Sequence, residues 1–308
     1  MDKFRHLLLD GHNLAITSLC ITLSAILIYS IFRLARARFK NYGSGFYISN
    51  KVKFSTRKIT YLAMMVGVSV ATTTVISLTL PITVLPPIRV AFEGVMIKIT
   101  GMIFGPFVGL VVGLVTELLT LMFVPSYIHV AYLVVAFSFG FWSGMTSYAF
   151  KLKKNWPTLV FVTVFLLIAA GIMFWLMQGM KQINPETSLF GIKIPADIYP
   201  FLFLIMISIT LIFIYGLVLV LHIKKRDKWL NVVLPIILLC VISEILVTVL
   251  VAAWGDYQMF GLRNSSGSEN PFITMVVVRI IQIPIKIFFN TAILTTVYIV
   301  LRSLIKVK

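Results

Sequence analysis

The chain has 308 residues, of which 59% are hydrophobic and only 12% are charged. Soluble domains carry roughly 25% charged residues, so the composition excludes a soluble globular protein of this size. The net charge of +17 does not point to nucleic acid, because the cations crowd short loops between long apolar runs.

Leu14–Phe32 contains no charged residue. It is too long for a signal-peptide core and has no small-residue cleavage site, so it predicts an anchor helix. A loop dense in Arg33, Arg36, Arg38, Lys40, Lys51, Lys53, Arg57 and Lys58 follows. Further apolar runs predict spans at Thr60–Leu80, Ile88–Phe104, Phe107–Val124, Ile128–Phe150, Pro157–Gly179, Pro200–His222, Leu230–Ala253 and Phe272–Leu301. These are helices, since a lone strand cannot satisfy its backbone in lipid. The fold class is therefore all-α integral membrane, with about nine spans.

Alternation of nine spans puts every basic loop on one side. That side receives the first loop, Lys151, Lys153 and Lys154, then Lys224, Lys225, Arg226 and Lys228, and finally Arg302, Lys306 and Lys308. The positive-inside rule makes it cytoplasmic, with the C-terminus inside and the N-terminus outside. Pro81–Pro87, Pro125–Tyr127, Lys181–Asp197 and Gly255–Pro271 fall on the other side. Gly105-Pro106 breaks the helical pattern and predicts a tight turn between two short helices.

Ionisable residues fall inside the spans: Arg89, Glu93, Lys98, Glu117, Glu244, Arg279 and Lys286. Each costs at least about 2.5–3.5 kcal/mol to insert near the bilayer centre, so such groups mark binding or transport paths. Arg89 and Glu93 are one helical turn apart and share a face. Arg279, Gln282, Lys286 and Asn290 form one polar stripe on the last helix, which Pro284 is expected to bend. Glu244 and Thr248 share a face on the helix before it. These groups line one candidate polar cavity, and their sum of four cations and three acids tolerates an anionic ligand. Lys98 and Lys286 read equally well as packing. Ala63, Gly67 and Ala71 recur every fourth residue, as do Gly101, Gly105, Gly109 and Gly113. Such spacing lets helix backbones approach closely. It fits internal packing for the glycines, and packing or a subunit interface for Ala63–Ala71.

No phosphate loop, zinc motif or nucleophile elbow is present, and His6, His12, His129 and His222 are scattered. Cys20 and Cys240 lie in apolar spans and give neither a disulfide framework nor a metal site. The chain reads as a non-enzyme with no permanently bound cofactor and no metal.

Arg89, the apolar run after it, and Gly101-Met102-Ile103-Phe104-Gly105-Pro106-Phe107-Val108-Gly109 through Gly113 and Glu117 resemble the S components of energy-coupling factor (ECF) vitamin transporters. The family usually has Asp where this chain has Glu117. Thr248–Gly255 followed by Arg279-Ile280-Ile281-Gln282-Ile283-Pro284 is similar to the end of folate-specific S components. Ala63, Gly67 and Ala71 resemble the small-residue motif by which S components contact the coupling subunit.

The resemblance implies a six-helix core in two parts, 58–150 and 230–308. Residues 1–57 would add an anchor helix and basic loop, and 151–229 an inserted two-helix hairpin. It also implies a substrate-binding subunit of a bacterial plasma membrane importer. The subunit would capture a vitamin, with folate the leading ligand, and work with a coupling membrane subunit and two ATPases. Arg89 and Arg279 would meet the glutamate tail, and Tyr127 and Trp254 would stack on a flat ring. The implied ligand site is Arg89, Glu93, Glu117, Tyr127, Glu244, Thr248, Trp254, Arg279, Gln282 and Lys286, and the implied partner face is Ala63, Gly67 and Ala71. The rival readings are an S component for another vitamin such as riboflavin, and a solitary ion-coupled secondary transporter.

Overall fold

The computed structural model describes residues 13–42, 56–79, 94–123, 129–152, 155–180, 186–189, 192–261 and 271–305. They form helices α1 (Asn13–Tyr42), α2 (Thr56–Thr79), α3 (Val95–Phe104), α4 (Pro106–Phe123), α5 (Val130–Thr146), α6 (Trp156–Met180) and α7 (Tyr199–Ile223). Then come α8 (Asp227–Ile242), a π-helical segment (Ser243–Ala252), α9 (Ala253–Gly261) and α10 (Pro271–Ile305). A small antiparallel hairpin, β1 (Glu186–Leu189) and β2 (Ile192–Pro195), joins α6 to α7. Among the described residues seven helical stretches are long and apolar enough to span a membrane, with α3 and α5 as shorter apolar helices. The chain is thus a multi-pass membrane protein.

The α3–α4–α5 unit is built on glycine. Gly105 has φ 98° and its N–H bonds back to the Gly101 carbonyl at 2.8 Å. That left-handed backbone closes α3, where a side chain would be strained. Pro106 then opens α4 in the position where its missing N–H costs nothing. Gly109 and Gly113 press on the α5 backbone at Gly140 and Ala136, and Gly144 presses on Gly105 and Pro106. A Cβ at any of these positions would collide with facing main chain.

α2 packs on this unit through α3 and α4. The π segment packs on α5 and α10, α10 also reaches α3, and α8 reaches α5. Together α2–α5 and α8–α10 make one bundle. The α6–α7 pair packs on α8 and α10, outside the glycine unit. Helix α1 lies along the π segment and α5, burying Leu14, Ala15, Ser18 and Thr22. Its other face leaves Leu27, Ile28, Ile31 and Phe32 exposed, as α6 leaves Leu167 and Ile168 and α7 leaves Ile212 and Ile223. In water such faces would be a liability, but hydrocarbon is their natural solvent.

Three details differ from the sequence reading. Helix α1 runs on to Tyr42, so Arg33, Arg36, Arg38 and Lys40 stand on a helix and not in a loop. The helix expected to end near Ala253 runs on to Gly261, so Asp256 belongs to the helix and not to a loop. The backbone between also changes pitch to π over ten residues, which side-chain periodicity did not reveal.

Candidate functional site

The polar groups converge where α3, α5, the π segment, α9 and α10 meet. Glu244, at the start of the π segment, is 2% exposed. Its Oε1 accepts from Asn290 Nδ2 at 3.2 Å, and its Oε2 lies 3.9 Å from Lys286 Nζ. Lys98 comes from α3, is wholly buried, and holds its Nζ 4.2 Å from the centre of the Phe139 ring. Lys98 and Lys286 both interact electrostatically with Glu244. Neither lysine Nζ has a hydrogen-bond partner.

A second ion pair lies farther along, with its Arg279 about two turns before Lys286 on α10. Arg279 donates through Nε and Nη2 to Asp256 Oδ2, at 3.1 and 2.5 Å. Tyr132 on α5 donates to the other carboxylate oxygen at 2.9 Å. This triad ties α5, α9 and α10 together. Gly255 permits it, because Ala131 and Tyr132 already lie in close contact with that backbone. Next to the triad, His129 caps α5 by accepting from the Ala131 N–H and meets Trp254 edge-on at 4.5 Å.

Unmet bonding capacity decides what this region can do. Lys98 Nζ, Lys286 Nζ, Arg279 Nη1 and Trp254 Nε1 are buried donors without partners, whereas Gln282 Oε1 is an unpartnered acceptor. Three buried cations, Lys98, Lys286 and Arg279, face two buried acids, Glu244 and Asp256. A cluster of this kind inside an apolar bundle is costly unless something completes it. A ligand rich in hydrogen-bond acceptors would do so.

Lys286 interacts electrostatically with both Glu244 and Arg279, Thr248 is buried on the π segment with its hydroxyl on the Ser243 carbonyl, and Gln282 and Trp254 are half-buried. Glu117 is half-buried on α4, whose neighbours are α2, α3 and α5. Arg89, Glu93 and Tyr127 lie outside the described residues. Sequence reasoning left Lys98 out of the ligand site, named Asn290 only as part of the polar stripe, and missed Asp256 and Tyr132. Lys98 had a usable signal: it is an ionisable side chain well inside the apolar run expected over Ile88–Phe104. Asp256 had none, because it looked like a loop acid.

The candidate partner face is open. Ala63, Gly67 and Ala71 are exposed on α2, and a Cβ at Gly67 would meet nothing within 4 Å.

The described residues thus form a bundle of membrane-spanning helices with a buried polar cluster, and among them no group of His, Cys, Asp and Glu could hold a metal ion. The family model of the ECF-type riboflavin transporter S component matches residues 53–217, more than half the chain, and the chain belongs to this family of ECF S components. The protein is accordingly a vitamin-transport subunit and not an enzyme, of a family that works with an energy-coupling module. No curated protein and no solved structure matches it. The match takes in α2–α6 and most of α7, and leaves out α1 and α8–α10. Folate specificity, expected from the C-terminal motif, finds no support: the matching family is the riboflavin type.

Proposed function

We propose that the chain is the substrate-binding S component of an ECF importer and that its ligand is a riboflavin-class vitamin, held at the Lys98–Glu244–Lys286–Asn290 cluster. The observation that carries this is the set of buried, unpartnered donors at the centre of the bundle, in a chain of the riboflavin-type family. A flavin ring presents carbonyl and imine acceptors beside one N–H. Lys98 and Lys286 complement the acceptors, and Glu244 complements the N–H. Phe139 and Trp254 offer aromatic surface to the ring. The folate reading relied on Arg89 and Arg279 for the carboxylates; Arg89 lies outside the described residues, and Asp256 already meets the Arg279 charge through two hydrogen bonds.

The core that binds ligand is α2–α5 with α8–α10, residues 58–150 and 230–308. The α6–α7 hairpin of 151–229, most of which lies inside the segment that the family model matches, packs on α8 and α10. Basic loops face the cytoplasm of a bacterial cell, so the C-terminus is inside and the N-terminus outside. Ala63, Gly67 and Ala71 form the surface that meets the coupling membrane subunit, and two ATPases supply the energy. Equilibrium binding to the purified chain in detergent, without ATP, tests the reading against riboflavin, folate, thiamine and pantothenate. Tight riboflavin binding, weakened at least about tenfold by Lys286→Met, is the expected result. Tight folate binding would overturn the ligand assignment. Ion-driven uptake into liposomes containing this chain alone would overturn the S-component mechanism.

A further inference from the structure

Helix α1 lies before the matched segment, which begins at residue 53, and so far it has no role. Its contacts are specific. Ser18 is wholly buried, and its hydroxyl donates to the Leu246 carbonyl at 2.5 Å. Leu246 is inside the π segment. One helical turn along, the Thr22 hydroxyl bonds the Ser18 carbonyl at 3.0 Å and is itself buried. Leu19 packs in the cluster that contains Val247 and Val251. A face of α1 therefore reads the outer side of the π segment, while Glu244 on the same segment points into the polar cluster.

The π geometry matters for the ligand site. Thr248 donates to the Ser243 carbonyl five residues back at 3.2 Å, the period of a π-helix. Winding the segment as an ordinary α-helix would turn everything after it relative to Glu244. Trp254 and Asp256 would leave their present partners, His129 on one side and Arg279 with Tyr132 on the other. Long π runs are rare because their packing is poorer, so they persist where surroundings hold them. A hydroxyl from another helix, bonded to a carbonyl in the middle of the run, is such a holding contact.

We propose that Ser18 is a positioning residue: through its bond to the Leu246 carbonyl, helix α1 fixes the π pitch of Ser243–Ala252 and thereby sets Trp254 and Asp256 in register with Glu244 around the ligand. This rests on the site assigned under the proposed function, but its test can be read without any ligand. Full-length protein is labelled with 5-fluorotryptophan, and the Trp254 resonance is assigned by Trp254→Phe. Ser18→Ala is expected to shift the Trp254 signal in ligand-free protein while leaving Trp156 and Trp229 unmoved. Riboflavin binding should weaken on the order of tenfold, the effect of one buried hydrogen bond. Ser18→Thr keeps the hydroxyl and should restore both. An unmoved Trp254 signal in Ser18→Ala overturns the proposal, whether or not riboflavin binds. So does a shift that Ser18→Thr fails to rescue, or a shift accompanied by unchanged riboflavin affinity. If the parent protein binds no riboflavin, the proposed ligand fails, whereas a rescued Trp254 shift still upholds the α1 contact.

Discussion

Two halves of the bundle are held together by opposite means. In α3–α5 the helices touch backbone to backbone through Gly101, Gly109, Gly113, Gly140 and Gly144. Apart from Lys98, the buried side chains of α3 are apolar or hydroxylic. In the π segment, α9 and α10 the contacts include two ion pairs, with Glu244, Asp256, Arg279, Lys286 and Asn290 all buried. The glycine half crosses through main chain that no side chain can enter, which suits a frame, although Thr116 Oγ1, Ser138 Oγ and Trp142 Nε1 are buried there without hydrogen-bond partners. The charged half keeps donors in reserve, so it can respond to a ligand. Lys98 is the point where the frame reaches into the charged half.

The largest effect should come from the frame. Gly109→Leu or Gly140→Leu drives a side chain into facing main chain that cannot retreat. No folded monomer is expected on size-exclusion chromatography in detergent. A well-behaved monomer with parental thermal stability would break the contrast drawn between the halves.

Next comes the triad. Asp256→Ala leaves Arg279 buried without its counter-charge, and breaking such a pair costs about 3–5 kcal/mol. Thermal unfolding should show this loss, and the double variant Asp256→Leu with Arg279→Met should recover most of it, because the penalty is the stranded charge. If the double variant stays as unstable as Asp256→Ala, packing and not charge explains the site.

A smaller effect is expected at Glu244. Glu244→Gln keeps a partner for Asn290 but removes the charge beside Lys286 and Lys98. A stability loss of about 1–3 kcal/mol should accompany a clear fall in riboflavin affinity, measured by fluorescence quenching. Full affinity would move the ligand away from this cluster.

The smallest effect on the isolated chain belongs to the outer face of α2. Gly67→Leu should change unfolding by less than about 0.5 kcal/mol, as exposed substitutions do, since the added side chain meets nothing. Co-purification with the coupling subunit should nevertheless be lost. Retained co-purification would show that the partner docks elsewhere.

The folate expectation illustrates where sequence reasoning reached its limit. Arg279 stands in a motif that resembles one subgroup, but whether its charge is free for a ligand depends on Asp256, twenty-three positions away, as seen in their 2.5 Å contact. Composition alone decided that the chain crosses a membrane many times, because hydrocarbon admits only segments whose backbones are satisfied internally. The apolar runs also located the helices, though α1 runs on to Tyr42 and α9 to Gly261, past the ends expected, and Gly105-Pro106 announced the turn, since one residue must take positive φ there and the next supplies no N–H. Spacing put Arg279, Lys286 and Asn290 on one face, a property of a single helix. Only the tertiary structure decided that Lys98 joins that face, that Asp256 is helical and takes up Arg279, and that Ser18 bonds a carbonyl in a π-helical stretch. Those are contacts between helices far apart in the chain, and the partner of a buried charge is set by how the helices pack, which no local pattern encodes.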